Sequence, residues 1–220
     1  MNGDRKTARQ PQPIYTEGEA AIIPVFPLGG VLLLPEARLP LHIFEPRYRN
    51  LVRDVIDDAG IIGLVQPCDP TVEPPALYDV GCSGEIESYQ RLTSGRYLIL
   101  LRGLRRFRTL EEVDTVNGYR RLAVRFDPPL AGEPVVPTAE MARVFALLTG
   151  AAARRQLEID LGRLYELPPL LVINTLAVGL PFAPEEKQAL LEAPDAARRL
   201  DLLLALLAMG FETGESHRVH

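Results

Sequence analysis

The chain has 220 residues, 47% hydrophobic and 24% charged, with a formal net charge of −5, and it can bury a core as one large domain or two small ones. Its longest apolar run near the C-terminus, 202–210, holds nine residues, against the roughly 20 that a membrane-spanning helix needs, so no membrane partner is expected. Residues 1–127 carry −1 and residues 128–220 carry −4, which excludes the strong basic excess of a nucleic-acid binder.

Residues 1–20 are polar, hold Pro11 and Pro13 and lack periodicity, the pattern of a disordered tail. They contain no apolar core of the kind a secretion signal requires, so a cytoplasmic location is the default expectation. Short apolar runs at 22–28 and 31–34 are broken by Gly29 and Gly30 and read as strands around a turn. A third strand is predicted at 39–44. Pro46 then suits the first position of a helix over 46–58, with Tyr48, Leu51, Val52 and Val55 at helical spacing. A strand at 61–66 follows. Residues 67–79 hold four prolines and read as an exposed loop. Further strands are predicted at 84–92, 96–102, 105–113 and 119–126, with turns at Thr93, Ser94 and Gly95 and at Asn117 and Gly118. So many strands around one helix suggest a barrel-like folded sheet over residues 21–127.

The period changes after Asp127. Residues 128–138 are proline-rich and read as a connector, and 139–211 as a helical bundle, with a short polar tail at 212–220. Thr138 is placed to cap a helix whose stripe is Met141, Val144, Phe145 and Leu148. A shorter piece at 157–164 and a nearly all-apolar helix at 169–178 come next. Pro184 with Glu185 and Glu186 marks another helix start. Asp195 caps the last helix, where Leu200, Leu203, Leu204 and Leu207 share a face up to Gly210. The predicted fold class is α+β, a β-rich N-terminal part followed by helices.

Reactive side chains are sparse. Cys68 and Cys82 are the only cysteines, without metal-site spacing, and two isolated thiols in a cytosolic chain read as free, with a disulfide as the alternative. His217 and His220 flank Arg218 without a third ligand, so no metal and no cofactor are implied. His42 stands between Leu41 and Ile43 and reads as a hydrogen-bonded core or sheet histidine. Arg102, Arg105, Arg106 and Arg108 invite an anion site, but read as a solvated strand face neutralised by Glu111 and Glu112. Glu45 is placed to serve the amides of the helix that Pro46 opens, and Arg47 to pair with a nearby acid.

Three stretches carry a resemblance. The first runs from Ile22 to Tyr48 and includes Pro27, Leu28 and then Pro40, Leu41, His42, Ile43, Phe44, Glu45, Pro46, Arg47 and Tyr48. The second is Tyr78 to Gly84, Ile86 and the run RYLILLRGLRRFR, in which Gly103 to Arg106 form a G-x-x-R turn. The third runs from Ile173 to Leu207, with Leu180, Pro181, a helix start at Glu186, Lys187 and Gln188, and a turn at Arg198, Arg199 and Leu200. Together, in this order, they resemble the N-terminal, substrate-recognition domain of the Lon protease family.

The resemblance implies a protein-handling module, with Pro40, Leu41, His42, Phe44, Glu45, Arg47 and Tyr48 as fold determinants. The rest of the Lon pattern is missing. No Gly-Lys dipeptide is present, so no phosphate-binding loop of the G-x-x-x-x-G-K-[ST] form exists. Lys6 in the tail and Lys187 at a surface helix start are the only lysines, and neither suits a serine–lysine dyad with Ser83, Ser88, Ser94 or Ser216. The expectation is a freestanding, non-enzymatic module that binds unfolded or degron-bearing protein segments as an adaptor or chaperone-like holder, beside a separate protease or chaperone. Leu77, Tyr78 and Phe182 are the apolar residues expected at its peptide-binding surface. A small-ligand-sensing regulatory domain and a divergent peptidase are the alternatives.

Overall fold

The computed structural model describes residues 6–7, 20–56, 60–69, 71–128, 136–155 and 159–210. The expected tail at 1–20 departs from its reading at Lys6–Thr7 (β1), which pair antiparallel with Tyr89 and Ser88, and at Ala20, which opens a strand. The rest of that tail, most of the connector and the tail at 212–220 lie outside the described residues. The chain divides into two units, Met1–Pro129 and Leu130–His220.

The first unit is a mixed sheet of seven strands among the described residues, with one helix. Ala20–Pro27 (β2) alternates until its end, where Ile23, Val25 and Phe26 are buried and Ile22 faces out. Arg38–Ile43 (β3), Ile61–Val65 (β4), Val80–Arg91 (β5), Tyr97–Val116 (β6) and Tyr119–Phe126 (β7) complete it. The hydrogen-bonded order is β1-β5-β4-β2-β7-β6-β3, and β5 also pairs with β6, so the ladder from β5 through β4, β2, β7 and β6 returns to β5. β3 lies at the free end of this order. A core of Ile23, Val25, Val65, Phe107, Leu122, Val124 and Phe126 fills the interior. Pro46–Ile56 (α1) buries Tyr48, Leu51, Val52 and Val55, the stripe read from the sequence.

Two differences from the sequence reading share one cause. Residues 31–34 form no strand. Instead Leu32, Leu33 and Leu34, each at most 1% exposed, run as an irregular segment buried against β5 and β6. The segment fits because two strand positions lack a Cβ: one at Gly103 would fall on the Leu34 carbonyl oxygen, and one at Gly84 would stand 2.7 Å from Leu33 Cδ2. Gly103 is therefore no turn. It sits inside β6, a single 20-residue strand where the sequence suggested two, donating its N–H to the Ala37 carbonyl at 2.9 Å and accepting from the Glu36 N–H at 2.9 Å. At the β6–β7 hairpin Asn117 and Gly118 have φ of 50° and 84°, the left-handed pair that a tight two-residue turn demands.

Among the described residues the second unit holds five helices: Thr138–Arg155 (α2), Leu161–Tyr165 (α3), Pro169–Gly179 (α4), Pro184–Glu192 (α5) and Ala196–Met209 (α6). Thr138 is the first helical residue rather than the cap, and the Pro137 carbonyl accepts from the Glu140 and Met141 amides. Asp195 caps α6 by accepting from the Arg198 N–H at 2.8 Å, and Gly210 ends it at φ 69°. α6 packs on α2, α4 and α5 with Leu200, Leu203, Leu204 and Leu207 buried. Lys187 corrects the sequence reading: it is buried, not at the surface, and burial pushes its amine pKa down. No helix among the described residues is long and apolar enough to cross a membrane.

Candidate functional site

β3 is an edge strand with two unlike faces. Leu39, Leu41 and Ile43 turn toward the interior, and Arg38, Pro40 and His42 are exposed, with Phe44 exposed just beyond the strand. A proline suits such a position because an edge strand tolerates a missing backbone donor. The partner strand extends the exposed row. His42 lies opposite Leu98 and Pro40 opposite Leu100, and Phe44 and Leu98 are each 43% exposed. The His42 and Phe44 rings stand 6.0 Å apart. His42 is thus a sheet residue on the outside, not in the core.

Salt bridges fence this row. Arg38 donates from Nε and Nη2 to the two Glu87 carboxylate oxygens, each at 2.9 Å, tying β3 to β5 across β6. The Arg38 guanidinium holds the Glu87 carboxyl below its ordinary pKa, first by that hydrogen bond. Arg102 pairs with the buried Glu85, its Nε donating at 2.7 Å, and with Glu36 at 3.2 Å.

The rest of the signature stands around the start of α1. The Glu45 carbonyl accepts from the Tyr48 and Arg49 amides at the start of α1, while its carboxylate accepts from Arg47 Nε at 3.0 Å. Arg47 also pairs with Glu73 at 3.8 Å and covers the Tyr48 ring at 4.7 Å. Tyr48 packs edge-on to Phe26 at 4.0 Å, and burial pushes its hydroxyl up to about 12.

The residues expected at a peptide surface are placed differently from one another. Leu77 is half-buried and packs on the core of the first unit. Tyr78, also half-buried, donates its backbone N–H to the Gln66 carbonyl at 3.0 Å. Together with Cys68, which donates to the Ala76 carbonyl at 2.8 Å, this pins the base of the proline-rich loop. Phe182 belongs to the second unit and is 5% exposed, so it offers no open apolar surface.

The arginine cluster is neutralised, though by another acid than expected. Arg106 pairs with Asp127 at 3.0 Å and Arg108 with the same carboxylate at 3.6 Å, while Arg105 donates to the Asp127 carbonyl at 2.8 Å. Glu112 is taken by Arg120 at 2.6 Å. Cys82 is buried and Cys68 exposed, and neither is held in a disulfide. Among the described residues no group of three or more His, Cys, Asp or Glu side chains is placed to hold a metal ion.

An apolar row on an open edge strand suits contact with another polypeptide. The family model of the ATP-dependent protease La (LON) substrate-binding domain matches residues 22–209. The chain belongs to this Lon substrate-binding domain family. Solved Lon domains share its fold. A Lon N-terminal domain protein from Xanthomonas campestris superposes with a TM-score of 0.62 at 30% identity, covering 84% of this chain and 98% of that one. The N-terminal domain of Mycobacterium avium complex Lon protease gives 0.64 at 17% identity, covering 86% and 98%, a likeness of fold. Among curated relatives, Lon protease 2 of Sorangium cellulosum is 27% identical over 96% of this chain and 27% of its own length. Lon protease 1 of Thermus thermophilus is 27% identical over 88% of this chain and 25% of its own length. The chain spans about a quarter of the length of these curated Lon proteases.

Proposed function

We propose that this Lon substrate-binding-domain chain is a non-catalytic recognition module that holds unfolded or degron-bearing segments of other proteins on the outer face of β3 and β6. The observation that carries the reading is the exposed row of Pro40, His42, Phe44 and Leu98 along an edge strand and its neighbour β6, within a domain of a substrate-binding family. Exposed apolar side chains at alternate positions meet the alternate side chains of an extended segment, and an open edge offers backbone groups to it. Leu77 and Tyr78 are secondary contacts in this reading. The module acts in the cytoplasm as an adaptor or chaperone-like holder that delivers clients to a protease or chaperone.

The test is fluorescence anisotropy of a labelled, permanently unfolded polypeptide titrated with the protein and followed over an hour. A saturable, stable rise supports recognition. A fall below the free-probe value means cleavage and overturns the non-catalytic reading. A flat trace up to high micromolar protein overturns recognition of unfolded segments.

A further inference from the structure

The apolar row ends at a cationic turn. Leu92 donates its N–H to the Arg96 carbonyl at 2.9 Å, and Gly95 donates to the Leu92 carbonyl at 2.9 Å, fixing the β5–β6 hairpin. Arg91 and Arg96, both exposed, stand at its stem, Arg91 opposite Tyr97 and so on the other face from Leu98. The last pair of β3 with β6 is Ile43 with Tyr97, so Arg96 stands one residue beyond it toward the turn and two residues before Leu98. A third guanidinium, that of Arg49 from α1, lies over the turn, where a Cβ on Gly95 would stand 2.5 Å from its Nη2.

These three differ from the other arginines around the row. Arg38 is taken by Glu87, Arg102 by Glu85 and Glu36, and Arg47 by Glu45 and Glu73. Among the described residues, no carboxylate pairs with Arg49, Arg91 or Arg96. Arg49 Nε is buried without a hydrogen-bond partner. A local excess of positive charge in a chain of net −5 is a preference for carboxylates, and guanidinium forks bind them in a defined geometry.

We infer that the segment captured on β3 and β6 carries acidic residues immediately beyond its apolar stretch, and that Arg49 and Arg96 bind them. The inference rests on the recognition reading above and names its substrate class: an extended, alternately apolar segment with an acidic flank. The neutralised charges along the row leave the middle of the segment apolar, and the open charges at the turn select its end.

The experiment uses labelled peptides that share one alternating Leu/Ser/Phe core, flanked at both ends by glutamates, glutamines or lysines. Their affinities are measured by anisotropy for the full chain and for the Arg96→Gln variant, whose substitution lies at an exposed position. The glutamate peptide is expected to bind about tenfold more tightly than the glutamine peptide at low salt, with the advantage shrinking as salt rises. The variant is expected to lose that advantage while its affinity for the glutamine peptide stays unchanged. Equal binding of the glutamate and glutamine peptides, or an advantage that survives in the variant, overturns the inference and leaves recognition standing. Failure of all three peptides to bind overturns both.

Discussion

Phe44 and Leu98 are exposed, so replacing them removes apolar contact area without opening a cavity. Phe44→Ser and Leu98→Ser are each expected to weaken unfolded-polypeptide binding by about tenfold, as truncation of an interface anchor does. Both are expected to leave thermal stability within about 0.5 kcal/mol of the parent. Gly103 is the opposite case. A methyl group there collides with the Leu34 backbone, which cannot rotate away as a side-chain tip could. Gly103→Ala is expected to cost roughly 3 kcal/mol or more in urea unfolding. The outward row was legible in part. Arg38, Pro40 and His42 alternate with Leu39, Leu41 and Ile43, and a proline and a histidine at every second position are the mark of an exposed strand face. Phe44 obscured it by placing an aromatic on the polar side of the alternation. The role of Gly103 was not legible, because a glycine between two apolar runs has the same local pattern whether it turns the chain or lets another segment approach.

At the scale of elements, β3 is held by β6 on one side and cross-braced to β5 through Arg38 and Glu87. The Glu87 carboxyl titrates below its ordinary value of 4.5 in the folded state. Its contribution to stability is therefore complete above the unfolded-state value and is lost as pH falls through the folded-state value. The pair is partly exposed, which limits it to at most about 1 kcal/mol. In Glu87→Gln that acid-side loss should disappear from the pH dependence of urea unfolding, and binding should fall if the brace sets the position of β3. In the second unit the buried Arg199 joins three helices: from α6 its Nε donates to the Leu190 backbone carbonyl of α5 at 3.0 Å and its Nη1 to the Asn174 side-chain Oδ1 of α4 at 3.0 Å. Arg199→Met removes both donors and is expected to destabilise by roughly 1–3 kcal/mol in the same assay. The helices themselves were readable from Pro184, Asp195 and Gly210, whose backbone chemistry acts locally. Arg199 was not, since an arginine beside another at a helix start reads as solvated until the partners across the core are known.

At the scale of the molecule, the order of three short stretches identified the fold, because strand and helix order survives where side chains drift. The site was less visible, since exposure is decided by which elements come together and not by any residue alone. Leu77, Tyr78 and Phe182 stand out in the sequence only through their loops, and the fold places Leu77 against a core and buries Phe182. In the proposed function, clients lie along β3 and β6 of the first unit. Hydrogen–deuterium exchange of the full chain, with and without saturating unfolded polypeptide, tests it most directly. The expected result is added protection at 38–44 and 96–100, absent in the Phe44→Ser/Leu98→Ser variant. Protection confined to the proline-rich loop or to the helices, with 38–44 unchanged, would contradict it.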